Sequence, residues 1–106
     1  MQLPLTGEPS QVLPMLVQIL NSWVDRAEVK RFFIGRSVDP DNISNAHGCN
    51  AYGILYYSNS IENAMMVEDS LIILLSRNPK CFNEAMRSCG WSSEEEGNSV
   101  YIAFWR

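Results

Sequence analysis

The sequence predicts an α+β domain with α/β-type layers, in which a small three-stranded, mainly antiparallel sheet is flanked by helices. Two observations favour this fold class. Short segments rich in aromatic and β-branched residues, at residues 29–37, 51–58 and 99–106, are typical of strands. Longer segments at residues 10–25 and 61–77 place apolar residues at three- and four-residue steps, which is typical of amphipathic helices.

The length and composition of the chain fit one domain. Its 106 residues are 46% hydrophobic and 10% aromatic, which is enough to build a single core without a metal or a disulfide. No internal repeat and no linker divides the sequence. We therefore expect residues 1–106 to form one domain, with a loose lead-in at residues 1–9 that contains two prolines and a glycine.

We expect a cytoplasmic protein that has no membrane partner. No apolar run reaches the length that spans a bilayer, and the first residues lack the basic and apolar regions of a secretory signal. The three cysteines, Cys49, Cys81 and Cys89, are odd in number and form no C-x-x-C pair. Free thiols in a reducing compartment are the simplest interpretation of them.

The charges weaken the case for a nucleic-acid partner without removing it. The net charge is −4, whereas dedicated nucleic-acid binders usually carry a basic excess. Lys30, Arg31 and Arg36 nevertheless cluster in one short segment, while three consecutive glutamates lie within residues 92–97. These basic residues either form a local nucleic-acid-binding face or are ordinary solvated charges.

Local signals define the first helix and the first strand. The helix at residues 10–25 either begins near residue 10 or begins at Pro14, which would then lie in a first turn that needs no N–H group from it. The aromatic run at residues 32–34 suits a buried, pleated surface, and Gly35 interrupts it. A strand is therefore expected to precede Gly35 and to end shortly after it.

Turn and capping signals define the elements that follow. Asp39 and Pro40 fit the N-cap and the first residue of a short helical segment that runs towards His47. Ser60 fits the N-cap of the helix at residues 61–77, and a further helical turn is expected at residues 81–90. In the last strand, alternate residues face opposite sides, with Val100, Ile102 and Phe104 on one side and Tyr101, Ala103 and Trp105 on the other.

A single acidic residue interrupts the apolar pattern of the helix at residues 61–77. Glu68 lies seven residues from both Ile61 and Leu75, on the face that these residues share with Met65. A carboxylate there is costly unless it is paired, hydrogen-bonded or bound to a metal. Glu68 therefore either projects into a site where it holds a divalent cation, or lies at the rim of the buried face or pairs with an arginine.

The single histidine also has two interpretations. His47 is either a general base or phosphate contact, or a capping or surface residue at the end of a short helix. Because the chain has no second histidine, metal motifs built on several histidines are excluded.

Together these segments resemble the GIY-YIG nuclease family. The resemblance is carried by "FFIG", "RSVDP", His47, a strand, a helix with "VEDSLI" and then "CFNEA", and it covers about residues 29–86. It implies a small antiparallel sheet flanked by helices, with Glu68 as the ligand of one Mg²⁺ or Mn²⁺ ion. It also implies that Asn83 is the late asparagine of the family, and Arg36 matches a residue that often follows the glycine.

Three departures from the family pattern predict impaired catalysis. The first strand of the family is missing upstream, Phe33 replaces a tyrosine, and Ile43 replaces an arginine. Phe33 cannot take a proton, and Ile43 cannot stabilise the charge that develops on a phosphate. In one possible repair, the strand at residues 99–106 takes the place of the missing first strand, and Tyr101 stands in for the missing tyrosine.

Three functions are compatible with these residues. The first is a GIY-YIG-like domain with impaired catalysis, which acts in nucleic-acid-related binding or regulation and needs no cofactor. Its candidate binding residues are Lys30, Arg31, Arg36 and Asn83. The second is an active, divergent, metal-dependent endonuclease. Its candidate catalytic residues are Glu68, His47 and Tyr101. In the first function the partner is alternatively a protein that contacts Trp23, Trp91 or Trp105. The third function is that of a small protein-interaction or inhibitor protein of another fold, for which the resemblance is coincidental.

Overall fold

The computed structural model describes residues 4–38, 51–83 and 97–105. Two helices and three strands lie in these ranges. In chain order they are α1 (Pro9–Val24), β1 (Arg31–Ser37), β2 (Ala51–Tyr57), α2 (Ile61–Leu75) and β3 (Ser99–Trp105). The predicted α+β class and the five main elements are confirmed, with boundaries that agree within two residues. The helical segment expected towards His47, and most of the turn expected at residues 81–90, lie outside the described residues.

The C-terminal strand is the centre of the sheet. The strand order is β1-β3-β2, and β3 pairs antiparallel with both neighbours. On one side Tyr101 lies opposite Gly35, and on the other side Ile102 lies opposite Gly53. The register between β2 and β3 shifts between Ile54 and Tyr56, as at a β-bulge. β1 and β2 therefore belong to one sheet only because β3, the last described segment of the chain, lies between them and pairs with both.

Both helices pack on the same face of the sheet. Their buried residues form one core with alternate residues of β1 and β3 and with two adjacent residues of β2. The helices contribute Val12, Leu16, Leu20, Val24, Ala64, Val67, Leu71 and Leu75, and the strands contribute Phe32, Ile34, Leu55, Tyr56, Val100 and Ile102. Full burial of such a side chain stabilises the fold by roughly 1.5–3 kcal/mol. This core fixes which side of β1 and β3 faces the helices.

The opposite face of the sheet is also buried at its centre. Phe33, Tyr101, Ala103 and Trp105 form a second cluster there, and Ile54 and Phe82 pack against it. The Phe33 and Tyr101 rings lie 6.3 Å apart, measured between centroids. Because β1 and β3 are covered on both faces, they read in the sequence as nearly continuous apolar runs rather than as alternating ones.

Side chains stabilise the ends of both helices. α1 begins at Pro9, five residues before Pro14, so Pro14 lies inside the helix instead of in its first turn. The Lys80 Nζ donates to the carbonyl oxygens of Val24 at 2.6 Å and Arg26 at 2.9 Å, where the C-terminal end of a helix attracts a cation. The Ser60 hydroxyl accepts from the Asn63 N–H at 3.3 Å, as predicted for the N-cap of α2.

Candidate functional site

Glu68 is buried in the structure, and it is paired with an arginine. In β1, Arg36 points to the same face as Phe32 and Ile34, so its side chain meets α2. The Arg36 Nε donates to the Glu68 Oε1 at 2.9 Å, and both side chains are buried. The structure therefore shows the arginine pairing that was one of the two interpretations of this carboxylate.

A third segment completes the ion pair. The Arg36 Nη1 donates to the carbonyl oxygen of Gly97 at 3.0 Å. A Cβ atom on Gly97 would lie only 2.8 Å from the backbone nitrogen of Ser37, so a glycine is required at this close approach. The guanidinium thus joins β1, α2 and the segment that leads into β3, which makes it a fixed part of the fold.

The ion pair bears directly on the metal hypothesis. A guanidinium that is hydrogen-bonded to a carboxylate oxygen repels a second cation at that oxygen. Across residues 4–38, 51–83 and 97–105, no group of three or more His, Cys, Asp or Glu side chains is placed to hold a metal ion. Metal binding by Glu68 stays a prediction.

Tyr101 and Glu68 lie on opposite faces of the sheet. Tyr101 is directly across from Gly35, and both belong to the face that carries the second cluster. A Cβ atom on Gly35 would lie 2.8 Å from the Tyr101 hydroxyl oxygen and 2.8 Å from a ring carbon of Phe33. The structure therefore does not bring Tyr101 to Glu68. His47, the third candidate catalytic residue, lies outside the described residues.

Asn83 closes the outer edge of β1. Its side-chain oxygen accepts from the Ile34 N–H at 3.0 Å, and its side-chain nitrogen donates to the Ile34 carbonyl at 2.7 Å. Just before it, Phe32 donates to the Lys80 carbonyl and accepts from the Phe82 N–H, each at 2.9 Å. Residues 80–83 thus act as an additional short strand, which protects the edge from pairing with another chain.

Replacing Asn83 by alanine will lower the free energy of unfolding by about 2–4 kcal/mol, because the N–H and C=O groups of Ile34 both lose their partner in a buried site. Asn83→Asp is expected to lose at least as much, because it buries a charge and places a carboxylate oxygen against the Ile34 carbonyl. Urea unfolding of the three proteins measures the order. An alanine variant as stable as the unchanged protein would contradict the edge-closing role.

The predicted basic residues divide between the interior and the surface. Arg36 is buried, whereas Lys30 is exposed and Arg31 is half-buried. The Arg31 guanidinium lies over the Phe82 ring at 5.0 Å from its centroid and over the Trp105 ring at 5.4 Å. Lys30 and Arg31 therefore remain available at the end of the sheet where β1 begins, and Arg31 is held there by two aromatic rings.

A pocket of about 230 Å³ opens at the same end of the sheet, on the helix side. Trp23 and Phe104 meet edge to face in its wall, with ring centroids 6.0 Å apart. The lining residues are Trp23, Arg26, Glu28, Val29, Ala51, Tyr52, Gly53 and Phe104. We call this pocket, together with Lys30, Arg31, Phe82 and Trp105, the strand-end surface. It combines cations with aromatic rings, of which Tyr52 is exposed, Trp23, Phe82 and Phe104 are half-buried and Trp105 is buried.

The sequence indicated only part of this surface. Lys30, Arg31, Trp23 and Trp105 were candidates, but Tyr52 and Phe104 were assigned to strands with no further role. The alternation of β3 gave the only available signal, because it places Phe104 on the helix side. Trp91, the remaining tryptophan, lies outside the described ranges.

Neither helix in the described part of the chain is both long enough and apolar enough to cross a membrane. Comparisons of the chain with protein-family models, with curated proteins and with solved structures find no match.

Proposed function

We propose that the chain is a nuclease-like domain with impaired catalysis that binds single-stranded nucleic acid at the strand-end surface. The observation that carries the proposal is the placement of Arg31 over Phe82 and Trp105, on the face of the sheet to which the register of β2 also assigns Tyr52. The pocket with Trp23 opens at the same end of the sheet on the helix side. Unpaired bases stack on aromatic side chains and on arginine, and each stacked base contributes about 1–3 kcal/mol.

The position of β3 supports the nuclease-like part of the proposal. β3 lies directly beside the strand that carries Phe33, Ile34 and Gly35, and Tyr101 faces Gly35 across the pair. This is the neighbour that a C-terminal replacement for the missing family strand requires. Glu68 faces the same strand from the helix layer.

The side-chain chemistry supports impaired catalysis. Phe33 has no hydroxyl group, and Arg36 engages the Glu68 carboxylate. Tyr101, which stands in for the missing tyrosine, lies on the other side of the sheet from that carboxylate. A phosphate held near Glu68 would therefore meet neither the tyrosine nor an unengaged metal ligand on the same face.

The charge of the surface favours single strands over duplex DNA. Arg26, Lys30 and Arg31 supply its cations, and Glu28 lies among them. Three phosphate contacts on a single strand predict a slope of about −2 when the logarithm of the binding constant is plotted against the logarithm of the salt concentration. With a net charge of −4, the chain has little capacity to neutralise a longer stretch of backbone.

Binding is tested by fluorescence anisotropy with labelled single-stranded DNA and RNA of mixed sequence. Tyr52→Ala will weaken binding about tenfold, because a base loses its stacking partner. Tyr57→Ala is the matched control, since both tyrosines belong to β2 and their exposed fractions are 37% and 39%.

Arg31→Ala is expected to weaken binding as much as Tyr52→Ala does. Arg77→Ala is its matched control, because it also removes one positive charge. Equal effects of test and control variants would contradict the proposal.

A protein partner is the second candidate, and the outer edge of β2 favours it. Leu5 pairs with this edge at Leu55 and Tyr57, and Ala51–Ile54 continue beyond that contact to the pocket. A peptide that adds as a strand along Ala51–Ile54 would place a side chain in the pocket. Failure of every single-stranded probe to bind would favour this candidate.

A further inference from the structure

The solvent side of α2 is unusually apolar. Its buried side carries Ala64, Val67, Glu68, Leu71 and Leu75. The opposite side still carries four large apolar residues that are between 42% and 70% exposed. They are Met65, Met66, Ile73 and Leu74. A helix that packs one face on a core normally has charged or polar residues on the other, so a second apolar face indicates a binding surface.

The exposed face is symmetric about a point midway between Asp69 and Ser70. Met66 and Ile73 are equally far from that point, and so are Met65 and Leu74. Farther out, Glu62 at the start of the helix mirrors Arg77 just after its end, and both are exposed. Apolar residues thus mirror apolar residues, and an acid mirrors a base.

We propose that this face of α2 binds the same face of a second copy of the chain, with the two helices antiparallel about a two-fold axis between Asp69 and Ser70. Each Met66 then meets the second copy's Ile73, while Met65 and Leu74 lie about 90° to either side of this line and flank the contact. At each end of the contact, Glu62 of one copy meets Arg77 of the other. Such a self-complementary patch is what a two-fold interface requires.

The charges select the antiparallel arrangement. In a parallel pair with two-fold symmetry each residue near the contact line meets its own copy, so that Glu62 would face Glu62. Like charges in contact are destabilising. In the antiparallel pair Glu62 faces a guanidinium, and the two Asp69 carboxylates lie at the exposed flank of the contact, where water and salt screen them.

The size of the face predicts a weak dimer. One face of a helix of 15 residues is smaller than the surface of a standard stable interface. The dimer is therefore expected to form in the micromolar range and to dissociate on dilution. Two methionines at its centre suit such a contact, because their flexible side chains adapt to a facing surface.

Sedimentation velocity from about 1 μM to about 1 mM protein tests the association. Glu62→Arg and Arg77→Glu will each weaken the dimer about tenfold, because each places like charges at two symmetric positions. The protein with both changes will recover the original association, since the reversed charges again meet their opposites. Glu8→Arg is the matched control, because it reverses an exposed charge at the start of α1 and will leave the dimer intact.

Ile73→Glu provides a second test that does not depend on the ion pairs. Ile73 is 70% exposed, so a glutamate there leaves the fold intact and places two carboxylates in the apolar contact. The variant is expected to be monomeric at every concentration. A monomeric unchanged protein, a dimer that survives Ile73→Glu, or a doubly reversed protein that does not recover would each overturn the proposal.

Discussion

Replacing Arg36 by methionine will lower the free energy of unfolding by about 3–5 kcal/mol, because it leaves the Glu68 carboxylate buried without its cation. Methionine retains much of the length of the aliphatic stem, so lost packing contributes little. The carbonyl of Gly97 also loses the donor that it has in Arg36. Urea unfolding followed by circular dichroism measures the loss.

Two further variants separate the ion pair from a general effect of removing an arginine. Arg77→Met removes an exposed arginine and will change stability by less than about 0.5 kcal/mol. Arg36→Met combined with Glu68→Leu will recover most of the loss, because an apolar pair no longer leaves a buried charge. If Arg36→Met alone costs less than about 1 kcal/mol, Arg36 does not hold Glu68 in the way described.

Replacing Gly35 by alanine will destabilise the protein by about 1–3 kcal/mol, because the added methyl group meets two aromatic rings of the second cluster. The nearest atoms are the Tyr101 hydroxyl oxygen and a Phe33 ring carbon, each 2.8 Å from the ideal Cβ position. Both residues are buried, so neither ring moves aside without disturbing its neighbours.

Gly53→Ala is the matched control for Gly35→Ala. Gly53 also lies in a strand beside β3, but the nearest atom to its Cβ position is a Trp23 ring carbon at 3.9 Å, an ordinary contact. Alanine at Gly53 will be neutral or slightly stabilising, since it reduces the conformational freedom of the unfolded chain. Thermal unfolding of the two variants gives the comparison, and similar losses would contradict the close packing at Gly35.

The elements of the fold were predictable because their signals are local. Periodicity, the aromatic runs and Ser60 are enough to define both helices and all three strands. The strand order was not predictable in this way, because the central position of β3 depends on pairing with strands far away in the sequence. The prediction for α2 was partly wrong, since Ile61 and Met65 are exposed although they were assigned to the face of Glu68.

The sequence was enough to single out the individual residues of the candidate site, but not to predict how they are arranged relative to one another. The spacing of α2 correctly places Glu68 on the buried side, and a cost for its burial follows at once. Which arginine pairs with it depends on the register of β1 against the helix layer. The separation of Tyr101 from Glu68 depends on the register of β3, where a shift by one residue would exchange the two faces.

The strand-end surface was the least predictable feature. Its residues come from the end of α1 and the segment after it, the starts of β1 and β2, the end of β3, and the segment before Asn83. Each residue alone is compatible with an ordinary core or surface position. Only the three-dimensional arrangement brings Arg31, Trp105 and Tyr52 to one end of the sheet.

A cleavage assay on a labelled single-stranded oligonucleotide, with Mg²⁺ or Mn²⁺ present, tests the central claim most directly. The protein is expected to shift the oligonucleotide on a native gel and to leave it at full length on a denaturing gel, because Glu68 is engaged by Arg36 and lies apart from Tyr101. Products that form with the unchanged protein, and that are absent with a folded Glu68→Gln variant, would contradict a binding domain with impaired catalysis.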